Sequence, residues 1–138
     1  MNDAEFIIAF EECTLPIEQW DHRAHVRVAW IYLQRHGYAR ALDLMRQGIL
    51  AFNSSNGIRI GPGTGYHETL TRAFLRLVDA ERNASIIDFN SFCDHASKLL
   101  DKKIILEHYS KELLDDPITR MEFVEPDQSS LPDGSGSP

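Results

Sequence analysis

With 138 residues, 43% of them hydrophobic, the chain is sized for one packed domain. Its 21 acidic residues outnumber 14 Lys and Arg for a net charge of −7, and no window gathers the basic cluster that follows a phosphate backbone, which excludes nucleic acid as an expected partner. No apolar run nears the roughly 18 residues of a membrane span, and the opening MNDAEFIIAFEEC carries acids where a secretory signal carries Lys or Arg, so a cytoplasmic protein with no membrane partner is expected.

Apolar residues recur at three-to-four spacing along most of the chain, which predicts an all-α fold, a compact bundle of about six helices. The first helix is expected at about Ala4 to Cys13 around Phe6, Ile7 and Phe10, ended by Pro16. The second starts after Asp21, a good N-cap, and runs to His36, where Gly37 closes it. The third covers about Tyr38 to Phe52 and buries Ala41, Leu42, Met45, Ile49 and Phe52. The stretch NSSNGIRIGPGTG, residues 53–65, is dense in turn residues and long for a connection in a compact domain, so it is expected to be a functional loop over the site.

A fourth helix follows at about Tyr66 to Asp79, with Thr64 as the expected cap and Leu70, Phe74, Leu77 and Val78 inward. Further helices are expected at about Ile86 to Leu100 and Ile104 to Leu114, and a short one from Pro117. The expected domain is residues 1–125, with 126–138 as a disordered polar tail. The two cysteines, Cys13 and Cys93, lie far apart and form neither a disulfide framework nor a thiolate metal motif.

The chemistry concentrates in two stretches, WDHRAH at Trp20–His25 and GYHETLT at Gly65–Thr71. On a helical projection His22 falls within about 40 degrees of Val26, Ala29 and Leu33, with His25 about 60 degrees to one side, so both sit near the apolar face. Residues three apart on a helix have Cβ atoms roughly 5–6 Å apart, which lets two imidazoles reach one ion. His67 is a third inward histidine at a helix start, on the face of Leu70, Phe74 and Val78.

In an up-and-down bundle the second and fourth helices run parallel, so His22, His25 and His67 meet at one end beneath the 53–65 loop. Three histidines with an open position suit a catalytic divalent transition metal: zinc for hydrolysis or hydration, iron or manganese for oxygen chemistry. Glu68 is the candidate fourth ligand or acid/base, its structural alternative being a dipole-complementing acid paired with Arg72. Thr71 is the better directed of two nearby hydroxyls, toward substrate or its own backbone. Tyr66 and Trp20 are candidate aromatic walls, Arg59 a candidate anion contact, His36 a C-terminal cap, and His108 a weaker candidate ligand near the mouth. The glycines of GPGTG lack the flanking pattern of a nucleotide-binding loop.

The motifs resemble those of an uncharacterised family of small proteins, W-x-H-x-A-H followed by G-Y-H-E-T-x-T, the likeness extending through HYSKELL and FVEPD over most of the expected domain. The matching positions are Trp20, His22, Ala24, His25, Gly65, Tyr66, His67, Glu68, Thr69 and Thr71. The resemblance implies a shared site and assigns it no reaction. The expectation is therefore a small metal-dependent enzyme acting on a small-molecule substrate. The competing reading is a non-catalytic ligand-binding or interaction module whose histidines and glutamate form a structural hydrogen-bond network. A third is metal-free acid/base catalysis by His67 and Glu68, and a homodimer is left open.

Overall fold

The computed structural model describes residues 1–133. The fold is all-helical, with an isolated Gly61–Thr64 bridge as the one β-type pairing among the described residues. Helix α1, Asp3–Glu11, opens with a reciprocal capping box between Asn2 and Glu5 and buries Phe6, Ile7 and Phe10. Arg27 ties it to the next helix: its Nε donates to Asp3 Oδ1 at 3.0 Å, and its guanidinium lies over the Phe6 ring at 4.4 Å.

Helix α2, His22–His36, has the expected bounds. Asp21 Oδ1 accepts from Ala24 N at 2.9 Å, and Gly37 closes the helix at φ +80°. Six consecutive residues, Val28 to Leu33, are buried, so this half of α2 is apolar all the way round, as a helix must be when neighbours cover every side. Helix α3, Tyr38–Ser55, packs on α2 and buries the five predicted residues together with Asn53.

Helix α4, Glu68–Glu81, packs on both α2 and α3. It runs in the same direction as α2. The His22 ring meets Phe74 edge-on at 4.8 Å, and at the far ends Arg82 Nη1 donates to Gln34 Oε1 at 3.4 Å. The expected parallel pair is thus present, with the loop after α3 returning the chain to the end where α2 begins.

Beyond α4 the helices are shorter than the periodicity predicts. Instead of one helix over 86–100 there is α5, Phe89–His95, followed by a 3-10 segment at Ser97–Leu100. The expected helix over 104–114 is a 3-10 segment at Lys102–Glu107 followed by α6, Lys111–Asp115, begun by a Ser110 cap; α7 is Ile118–Met121. Asp88, Asp101 and Ser110 each accept a nearby backbone N–H, and such local bonds restart the chain in place of one long ladder.

The segment expected to begin a disordered tail lies against the protein. Ser110 N and Oγ donate to Asp127, Gln128 N donates to the His108 carbonyl, and Leu131 packs on the core. Residues 134–138 of that expected tail lie outside the described residues.

One loop glycine is fixed by contact as well as by conformation. Gly65 has φ +85°, and a Cβ there would sit 2.7 Å from the Arg59 carbonyl oxygen and the Ile60 Cα, both backbone atoms. Gly57, at φ +70°, has open space around it. Gly65→Ala is expected to lose about 2–3 kcal/mol in urea unfolding and Gly57→Ala about 1 kcal/mol. Equal losses would show that the close approach of residues 59 and 60 does not exclude a side chain at 65.

Candidate functional site

A cavity of about 660 Å³ opens between the starts of α2 and α4, the inner face of α3 and the Lys102–Glu107 segment. Its walls include Trp20, Met45, Ile49, Leu70 and Phe74, and His22, His25 and His67 all border it. The two sequence motifs therefore do meet at one place. The connecting loop contributes Ile58, Gly63, Thr64, Gly65 and Tyr66 to its wall, close to the role expected of residues 53–65. A smaller cavity of about 320 Å³, bordered by Arg59, shares Asn53, Ile58 and Tyr66 with it.

His22 is the first residue of α2, and its Nε2 lies 2.8 Å from the Leu99 carbonyl oxygen. A carbonyl only accepts, so Nε2 carries the proton and donates. This bond fastens the beginning of α2 to the 3-10 segment ending at Leu100 and leaves Nδ1 as the ring's second polar atom.

His25 is the least committed of the three. Its ring packs tilted against Trp20 at 4.0 Å between centroids, and among the described residues neither ring nitrogen has a protein hydrogen-bond partner. Burial pushes its pKa down to about 4, with His22 adding to the fall and Asp21 opposing it. The imidazole is thus neutral at ordinary pH, with one donor and one acceptor.

His67 lies one residue before α4, where it serves as the N-cap: its Nδ1 accepts from Leu70 N at 3.1 Å. The sequence placed it inside the first turn with Thr64 as cap; the imidazole itself supplies the capping lone pair. That bond puts the proton on Nε2, 3.3 Å from Thr119 Oγ1, whose own hydroxyl donates to Asp116 O at 2.7 Å. Burial lowers the pKa of His67, and the Arg120 guanidinium lowers it further. Both nitrogens are used by the protein.

The expected three-histidine centre is consequently not assembled in this geometry. Among the described residues no group of three or more His, Cys, Asp or Glu side chains is placed to hold a metal ion. A ligand role for His67 would take the lone pair that now caps α4.

Glu68 has a different partner from the one expected. Arg46 on α3, not Arg72, meets it with Nε donating to Oε1 at 2.9 Å and Oε2 at 3.0 Å, and with Nη2 donating to Oε2. Tyr66 Oη donates to Oε1 at 2.6 Å. Burial works against ionisation of this carboxyl, but the Arg46 and Tyr66 hydrogen bonds outweigh it and hold the pKa below the usual range. Glu68 is absent from the cavity lining and acts as an ion-pair anchor between α3 and α4. Thr71 borders the cavity, and its hydroxyl donates to the His67 carbonyl at 2.8 Å, the backbone option of its two expected roles. His108 is turned to Ser129, with Nδ1 3.0 Å from the carbonyl oxygen, and lies outside the cavity.

Three lining residues escaped the sequence reading. Asn53 is 8% exposed, and its side-chain amide has no protein partner among the described residues. A signal for it existed: four residues after Ile49, it continues the buried face of α3, but its place in a turn-rich stretch assigned it to the loop. Lys102 and Lys103 border the cavity from a segment expected to be a gap between helices, and nothing local in the sequence places them there.

Comparison of the chain with protein-family models, curated proteins and solved structures finds no match.

Two measurements follow from the site. The unfolded chain takes up a proton at His25 before the folded protein does, so this residue's contribution to stability is complete above pH about 6.5 and is lost as pH falls toward about 4. His67 shifts in the same direction, so the readout is the difference between wild type and His25→Gln in urea unfolding across that window, with the variant expected to show the shallower slope. An unchanged slope would mean His25 titrates normally when folded. Separately, Arg46→Met is expected to cost about 1–3 kcal/mol by stranding the Glu68 carboxylate, less than a fully buried pair would lose because Arg46 is partly exposed. The check is equilibrium unfolding near neutral pH, and no loss there would remove the ion pair as an anchor.

Proposed function

We propose that the chain takes a small molecule into the 660 Å³ cavity, with the neutral imidazole of His25 as the main polar contact and His22 and Asn53 beside it. The observation that carries this reading is His25: a partly buried ring against the Trp20 indole, on a residue that borders the cavity, with neither nitrogen bonded to protein among the described residues. A ring nitrogen that borders a cavity and has no protein partner is open to a hydrogen bond from a molecule bound there. The volume lies within the roughly 300–1,000 Å³ of ordinary small-molecule sites, and apolar walls with a few convergent polar groups are their usual make-up. A structural network explains His67 and Glu68 well, since their polar atoms are consumed by the fold, but it leaves His25 without a role.

A metal-dependent enzyme is the second reading. In its favour, His22 and His25 stand three apart on one helix and both border the cavity. Zinc bound there would supply an activated water, and iron or manganese an open coordination position. The residues do not fit a three-histidine centre, however, because His67 holds the cap of α4 and His22 Nε2 holds Leu99.

The test is a thermal-shift screen of the full chain with neutral and charged aromatic fragments, comparing wild type with His25→Ala after circular dichroism has established that the variant is folded. A fragment present at ten times its Kd should stabilise the wild type by about 1.4 kcal/mol, and most of that gain should vanish in His25→Ala. Shifts of equal size in both proteins would sink the role given to His25. Elemental analysis of the same untagged samples separates the readings. Near-stoichiometric transition metal in wild type, lost in His25→Ala, would replace the first reading by the second.

A further inference from the structure

The charges around the cavity are opposite in sign to the chain's excess. The protein carries a net −7, yet the charged side chains bordering the cavity are Lys102, Lys103 and one carboxylate, Asp21. Asp21 has one oxygen engaged in capping α2 through Ala24 N. Among the described residues neither lysine is in an ion pair. Asp101, the nearest acid in sequence, accepts from Lys103 N at 2.9 Å and does not border the cavity. Both lysines are exposed while bordering the cavity, which puts them at its mouth. Arg120 adds a fixed positive charge behind the loop, its Nη1 donating at 3.0 Å to the Thr64 and Gly65 carbonyls.

The interior is of another kind. Trp20, Met45, Ile49 and Phe74 provide apolar and aromatic wall, and the Asn53 amide and the His25 ring are the polar groups with no protein partner among the described residues. Asn53 is more than nine-tenths buried and borders the space, so its amide, with no protein partner among the described residues, can offer a donor and an acceptor to a molecule there. Two exposed lysines bordering the mouth, an aromatic interior and neutral donors and acceptors farther in together describe one chemical class of occupant.

We infer that the molecule bound is an organic monoanion with an aromatic or apolar body, its carboxylate-type group held at the mouth by Lys102 and Lys103, its body against Trp20 and Phe74, and its second polar group toward Asn53 and His25. This rests on the small-molecule reading above. The lysines supply selectivity for charge and a faster encounter from water, because exposed cations are weak anchors and strong steering groups.

The experiment uses three probes with one carbon skeleton, 4-phenylbutyrate, 4-phenylbutanamide and 4-phenylbutylamine, titrated into the full chain at low ionic strength by calorimetry and by tryptophan fluorescence, to which Trp20 and Trp30 both contribute. The carboxylate is expected to bind about fivefold more tightly than the amide, and the amine more weakly than either. Lys102→Gln/Lys103→Gln, at exposed positions that leave the core intact, should erase the preference for carboxylate over amide. Raising the salt concentration should erase the same preference in wild type. Equal binding of carboxylate and amide, tighter binding of the amine, or a preference that survives the double substitution would overturn the anion assignment and leave the cavity reading standing. Failure of all three probes to bind at millimolar concentration would overturn both.

Discussion

The middle of α2 has no face left over for water. From Val28 to Leu33 every side chain is buried, so α3 and α4 must cover its flanks while α1 and the region around α5 cover what remains. A helix buried on all sides needs neighbours all round it, and the one-residue link to α3, followed by the 56–67 connection, makes α4 a parallel neighbour. This burial also explains the position of the cavity. The first two turns of α2 lie beyond that sealed stretch, and His22 and His25 stand where the surrounding elements part. Two histidines near the apolar face of a core helix therefore border a space, and their polarity is met by the Leu99 carbonyl in one case and left to the cavity in the other.

Polar contacts hold the cavity's rim where apolar packing is thin. The Arg46–Glu68–Tyr66 set joins α3 to the first residue of α4, and Arg120 pins the carbonyls of the incoming loop. A partly exposed ion pair adds little net stability, because desolvation consumes much of the Coulombic gain, but it penalises any register that separates the partners. On the far side of α4 the C-terminal segment is fastened just as specifically. Thr69 Oγ1 donates to the Glu122 carbonyl at 2.9 Å, Arg72 and Arg76 stack over Phe123 at 4.4 and 4.8 Å, and Tyr109 Oη donates to the Val124 carbonyl at 2.6 Å. The motif GYHETLT thus serves two surfaces, with Tyr66 and Thr71 toward the cavity and Thr69 toward the C-terminal strap.

Legibility followed the range of the forces involved. Helix caps, glycine stops and three-to-four spacing act within a few residues, so the bounds of α2, the buried faces of α1 and α3 and the all-α class could be read directly. Periodicity overran its evidence after residue 85, where short polar side chains capture neighbouring backbone groups and divide the expected long helices. The polar stretch after Pro126 was expected to be disordered because composition reports how little it can bury, whereas its attachment comes from pairs such as Asp127 with Ser110, whose compatibility is invisible before the chain is folded. Asn53 was hidden by its neighbours: the same residues that mark a turn also permitted one more turn of helix.

By itself the sequence determined an all-helical chain whose two histidine-bearing motifs come to one end of a parallel helix pair, since that depends on helix length, hydrophobic spacing and short connections. Tertiary structure alone decided what each residue does there. A histidine nitrogen has one use at a time, and only the fold shows that His67 spends Nδ1 on Leu70, that Glu68 is met by Arg46, and that His25 borders the cavity with no protein partner for its ring nitrogens among the described residues. It also brought Lys102 and Lys103 to the mouth, across some eighty residues of chain from the histidines of α2, by a path that no local spacing encodes.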